Sequence, residues 1–138
     1  MTEDQKHNLL RKDLCARLPY GVRASTKIGS NIIVSFIGND IIKGEDGDSY
    51  DISFIKPYLR PMSLMTEEEF GFLQEHLPYD FTRIYSGKFN LIDDIHLGDS
   101  ISIDDMAFLL DYLKKRHFDY RGLIEKGLAI DATGLNIY

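Results

Sequence analysis

Residues 22–55 constrain this chain more than any other stretch, because they admit little except short strands joined by tight turns. Val22, Ala24, Thr26 and Ile28 alternate with Arg23, Ser25 and Lys27, the period-two pattern of a strand with one face in water. Gly29-Ser30 marks a tight turn, and Asn31–Ile37 is apolar and β-branched enough for a central strand. Gly38-Asn39-Asp40 supplies the next turn, Ile41-Ile42-Lys43 a short strand, and residues 44–48 a third turn. Tyr50, Ile52 and Phe54 then alternate with Asp51 and Ser53. Four such strands predict an antiparallel meander, strongly bent or closed as an SH3-like barrel.

A sheet that small needs hydrophobic cover, and leucine-striped helices flank it in the chain. Thr2 with Gln5 forms a capping box, each side chain able to satisfy the other's free backbone N–H. Leu10, Leu14 and Leu18, with Leu9 beside them, then share one helical face, and Pro19 and Gly21 end the helix. After the meander, Lys56-Pro57-Tyr58-Leu59-Arg60-Pro61-Met62-Ser63 carries two prolines, which predict a connector and disfavour both helix and central strand. Thr66 and Glu69 cap a second helix over residues 67–77 that stops at Pro78. Residues 81–92 fit a hairpin around Ser86-Gly87-Lys88.

Ser102 and Asp105 open a further helix whose apolar face is Met106, Leu109, Leu110 and Leu113. Lys114, Lys115 and Arg116 crowd its C-terminal end, where cations are favoured. A helical turn near Leu123 and Lys126 ends at Gly127. The predicted fold class is α+β: an N-terminal helix, the meander, then two or three helices. It forms a single domain over residues 1–138, in which the first part (1–62) and the mainly helical second part (63–138) share a core.

Composition excludes several classes of function. The 138 residues are 43% hydrophobic and 28% charged, as in an ordinary globular domain. The formal charge of −6 argues against a dedicated duplex-binding surface and disfavours nucleic acid as partner. The polar start of the sequence is no secretory signal, and the apolar run Asn31–Ile37 is far short of the roughly 20 residues that span a bilayer. A cytoplasmic protein with no membrane association is expected. The single cysteine, Cys15, excludes a disulfide framework and reads as a buried, structural residue.

No pattern assembles a catalytic set or calls for a cofactor. The histidines His7, His76, His96 and His117 lack the spacing of a helical zinc site. His96 with Asp93, Asp94 and Asp99 has donors for a hard cation, but a solvated acidic loop is the simpler reading. Glu45-Asp46-Gly47-Asp48 lacks the ligand series of a calcium loop and reads as a hairpin turn.

The most pointed cluster is His117-Phe118-Asp119-Tyr120-Arg121-Gly122. Asp119 could orient His117 while Arg121 receives an anion. The plainer alternative is a helix terminus in which Asp119 pairs with Arg121 while Phe118 and Tyr120 pack. Lys56, Tyr58 and Arg60 alternate, and with Lys114, Lys115, Arg116 and Arg121 they could serve a single nucleic-acid strand. The connector with Tyr58 and Leu59 buried is preferred.

Three stretches carry a resemblance. They are Lys12-Asp13-Leu14-Cys15-Ala16-Arg17-Leu18-Pro19-Tyr20-Gly21-Val22, then residues 56–63 with Met65-Thr66-Glu67-Glu68-Glu69, and His117-Phe118-Asp119-Tyr120-Arg121-Gly122-Leu123-Ile124-Glu125-Lys126-Gly127-Leu128-Ala129. In this order they resemble a family of small uncharacterised proteins from gut Bacteroides and relatives, often associated with prophages or mobile elements. The tail, residues 131–138, departs from the ending typical of that family. The resemblance implies a bacterial cytoplasmic protein and assigns no catalytic residue.

The three stretches are expected to meet at a seam between sheet and helices. The leading expectation for function is a non-catalytic module that binds a protein partner through Tyr58, Arg60, His117, Asp119, Tyr120 and Arg121. A nucleic-acid accessory factor is the alternative. An enzyme centred on His117, Asp119 and Arg121 ranks third.

Overall fold

The computed structural model describes residues 1–77 and 102–138. The hairpin expected within residues 81–92 and the loop of Asp93, Asp94, His96 and Asp99 lie outside the described residues.

Helix α1 spans Glu3–Arg17 and begins with the reciprocal cap: Gln5 N–H donates to Thr2 Oγ1 and Thr2 N–H to Gln5 Oε1. Its last turn tightens into a 3₁₀ turn at Leu18–Tyr20, containing Pro19, and Gly21 closes it at φ 73°, a left-handed conformation that glycine adopts without penalty. Leu10, Asp13, Leu14 and Arg17 form the buried face. Cys15 is exposed, contrary to the buried position expected of it. It lies one residue, about 100° of helical rotation, beyond Leu14, and on that side the helix meets solvent.

The sheet begins with β1 (Arg23–Ser25), β2 (Asn31–Ile37), β3 (Ile41–Gly44) and β4 (Ser49–Asp51), each antiparallel to the next. The predicted meander is therefore present, with two local differences. Strand β1 stops at Ser25, because Thr26 turns the chain by bonding Ser30 through both backbone and side chain, and Ile28 at the turn tip is 86% exposed. Ile52 and Phe54 belong to a 3₁₀ turn, Ile52–Phe54, capped by the Asp51 carboxylate; Ile52 points inward and Phe54 outward. Asp46 fixes the β3–β4 turn by accepting from Asp48 N–H and the Tyr50 hydroxyl.

The predicted connector is also a strand. Lys56–Leu59 forms β5, antiparallel to β1, and β6 (Ile130–Asp131) runs parallel to it on the other side, giving the order β4-β3-β2-β1-β5-β6. Pro57 is tolerated in this interior strand because it stands opposite Ala24 of β1, and the pairing with β6 starts one residue later, at Tyr58. The sheet does not close into a barrel: β4 and β6 remain as its two edges. β6 takes the outer side of β5, along which a closing strand would have to pair.

Helix α2 (Glu67–His76) carries its own reciprocal cap between Thr66 and Glu69. Helix α3 (Ile103–Lys115) starts with Ser102 Oγ accepting from Asp105 N–H. The fold is thus α+β, an N-terminal helix and a mixed sheet followed by helices.

Two apolar clusters lie between these layers. In one, Leu10 and Leu14 of α1 cover Val22, Ala24, Ile32, Val34 and Ile42 of the sheet, with Leu123 and Ala129 arriving from far along the chain. In the other, Met62, Leu73, Leu109, Leu113, Phe118 and Tyr120 join the helices to the C-terminal segment. Among the described residues, no helix is long and apolar enough to cross a membrane.

Candidate functional site

The three stretches expected to meet at a seam do converge, on the segment after α3. The Arg60 N–H donates to the His117 carbonyl and the Arg60 carbonyl accepts from Asp119 N–H, both at 2.8 Å, so residues 117–119 run as a parallel extension beside β5. Arg17, at the end of α1, donates from Nη2 to the Phe118 carbonyl at 2.6 Å. Backbone bonds of this kind set the seam without depending on side-chain identity, apart from Arg17.

Under the seam lies a buried charge cluster. Asp13 and Arg17 are both 0% exposed, and Arg17 Nε donates to Asp13 Oδ2 at 2.8 Å. Arg121 Nε stands 3.2 Å from Asp13 Oδ1, and the guanidiniums of Arg17 and Arg121 lie 5.0 and 5.2 Å from the centre of the Tyr120 ring. Asp119 does not pair with Arg121. Its carboxylate accepts from Leu123 N–H at 2.8 Å and Ile124 N–H at 2.9 Å, capping the turn that Gly127 ends. Asp119 and Arg121 thus have partners within the chain, and Tyr120 packs between the two guanidiniums. The Asp13–Arg17 pair is foreshadowed only by its i, i+4 spacing, which on a sequence reads as a solvated surface pair.

His117 faces elsewhere. Its backbone is left-handed (φ 64°), and its ring stacks on Tyr138 with centroids 3.6 Å apart. The Tyr138 hydroxyl accepts from Arg23 N–H and donates to the Tyr58 carbonyl, both at 2.9 Å, tying the tail to β1 and β5. Burial pushes the His117 imidazole down to about 4, and the charges of Arg17, Arg60 and Arg23 act in the same direction. At neutral pH the ring is uncharged. Asp119, bonded to the backbone beyond it, does not orient the ring.

The His117–Tyr138 pair forms one wall of a cleft of about 700 Å³. The start of α2 contributes Glu68, Glu69 and Phe72; the end of α3 contributes Tyr112, Lys115 and Arg116. Phe72 stacks on Tyr112 with centroids 4.9 Å apart. Arg60 lines the cleft too, but its guanidinium is fully engaged: two nitrogens reach Glu69 at 2.9 and 2.7 Å, and it lies 4.2 Å over the Phe118 ring. Burial pushes the Glu69 carboxyl up, but the hydrogen bonds from Arg60 and Thr66 and the Arg60 charge outweigh it and hold the group below the usual glutamate range. Lys115 and Arg116 are exposed, and neither takes part in an ion pair among the described residues.

Of the residues expected to bind a partner, the cleft gathers Arg60 and His117. Tyr58 is 9% exposed, with its hydroxyl donating to Asn31, so it offers no stacking face to a nucleic-acid strand. Lys56 lies apart, with Lys27 and Phe54 in a separate hollow. The cleft residues that sequence reasoning missed are Phe72, Tyr112 and Tyr138. The first two read as helix-face aromatics; nothing local marks Tyr138. Among the described residues no three His, Cys, Asp or Glu side chains gather as a metal would require.

Compared with protein-family models, curated proteins and solved structures, the chain matches none of them.

Proposed function

We propose that this protein is a non-catalytic interaction module, cytoplasmic and of phage or mobile-element origin, that docks a protein partner in the cleft between α2, α3 and the His117–Tyr138 pair. One observation carries the reading. The cleft is lined by the aromatic rings of Phe72, Tyr112 and Tyr138 and by two cations without an ion pair among the described residues, while two of the three groups of the enzyme reading are engaged elsewhere, Asp119 by backbone amides and Arg121 by Asp13, which leaves His117 without an acidic partner. Aromatic and arginine side chains beside each other are the usual anchors of protein interfaces. The origin rests on the resemblance of the three stretches, and genomic neighbours drawn from phage or conjugative genes would support it.

The test is site-directed photocrosslinking in cells of the source organism. A photoreactive residue at Tyr112 is expected to give one reproducible protein adduct, and Phe72→Glu in the same chain to abolish it. Equal crosslinking from Ser35, on the distant sheet, or an adduct insensitive to Phe72→Glu, overturns docking in the cleft.

A further inference from the structure

Four of the six arginines among the described residues have a carboxylate partner: Arg11 with Asp40, Arg17 and Arg121 with Asp13, and Arg60 with Glu69. The two without one, Arg23 and Arg116, both border the His117–Tyr138 wall, and Lys115 adds a third uncompensated cation there. Arg116, though exposed, stands 5.6 Å over the Tyr112 ring, which places its charge beside the aromatic wall. Arg23 lies behind that wall; within the cleft Arg60 and Glu69 neutralise each other, and Lys115 and Arg116 stand against the single carboxylate of Glu68, which leaves a positive balance in a concave surface of an acidic chain, and such surfaces steer and orient anions.

Resting on the docking reading above, we propose that the cleft takes an acidic peptide segment of the partner, whose carboxylates pair with Lys115 and Arg116. Carboxylates match the guanidinium fork, and the Phe72–Tyr112 stack covers the chain between them. Nucleic acid is the poorer occupant. Glu68 lines the same cleft and would repel a phosphate backbone, whose charges are fixed along the chain, more than carboxylates on flexible side chains that can turn away from it.

The probe is fluorescein-labelled hexaglutamate, followed by anisotropy on the full chain with oligothymidylate of equal charge alongside. Hexaglutamate is expected to bind at low salt and to weaken as salt rises. Lys115→Gln/Arg116→Gln should reduce affinity by about tenfold, and charge reversal at both positions by more. Lys12→Glu/Lys27→Glu, with the same change in net charge as the reversal, should leave it within about twofold.

Absence of binding, or binding indifferent to Lys115 and Arg116, overturns the proposal. So does tighter binding of oligothymidylate that depends on the same two residues. If hexaglutamate fails while the crosslink at Tyr112 persists and still requires Phe72, the acidic ligand falls and the docking reading stands.

Discussion

At the scale of single residues, His117 carries a pH dependence into folding and Asp13 holds a buried ion pair together. His117 holds a neutral imidazole whose pKa has fallen from an ordinary 6.5 to about 4. Between those values the unfolded chain binds the proton and the folded chain does not, so stability rises with pH through this window. The contribution is complete above about 6.5 and is lost as pH falls toward 4. His117→Asn keeps a residue that tolerates the left-handed backbone at φ 64°. It should therefore flatten the pH dependence of the urea midpoint between pH 4 and 6.5, and an unchanged slope would show that another group sets it. Asp13 is a buried charge answering two buried or half-buried guanidiniums. Asp13→Ala leaves Arg17 at 0% exposure with no carboxylate, which should cost about 3–5 kcal/mol in urea unfolding. Lys6→Ala, which removes the exposed pair with Glu3, should cost under about 1 kcal/mol.

Among the elements, those whose ends are written in local chemistry were legible, and those defined by distant pairing were not. The caps Thr2–Gln5 and Thr66–Glu69 are reciprocal bonds over three residues, so their sequence signature and their geometry coincide. β5 was hidden because its identity comes from β1 and β6, while its own Pro57 argues against a strand. Ile52 and Phe54 kept an alternation that a 3₁₀ turn also satisfies for two residues, one inside and one out. The site was less legible than the fold. His117 and Arg60 stood out by residue type, but Tyr138 reaches the cleft only because β6 returns the tail to β5. Residues 119–128 form a further element with no regular label, a turn capped by Asp119 and ended by Gly127 at φ 72°, where Leu128 N–H closes back on the Leu123 carbonyl. Asp119→Ala orphans two amides, one of them buried, and should destabilise by about 1–3 kcal/mol. A methyl on Gly127 meets nothing within 4 Å, so Gly127→Ala should cost only the backbone penalty, about 1 kcal/mol. Thermal or urea unfolding of the two variants should keep that order; a larger loss from Gly127→Ala would mean the turn is not held by its cap.

For the whole molecule, the decisive feature is that the N-terminal half is completed by residues 117–138. α1 and the sheet form most of one apolar cluster, yet Leu123 and Ala129 fill it from the other end of the chain. Arg17 is buried against the Phe118 carbonyl, Asp13 against Arg121, and β5 is covered on its outer side by β6. Arg60 has both backbone groups bonded to residues 117 and 119, and Tyr138 ties Arg23 to Tyr58. A chain ending at residue 62 keeps every strand of the predicted meander but loses all of these partners together. It retains two buried charges without their full set of bonds, and unpaired polar groups along β5, each costing on the order of 1–3 kcal/mol. Those penalties are comparable in sum to the whole stability of a small domain, about 5–15 kcal/mol. The fragment 1–62 should accordingly show no cooperative urea transition by circular dichroism and exchange its β5 amides rapidly, whereas the full chain protects Arg60 N–H. A cooperative transition in the fragment with a midpoint near that of the full chain would mean that the seam joins two independently stable units, and that the cleft beside it can open without unfolding either one.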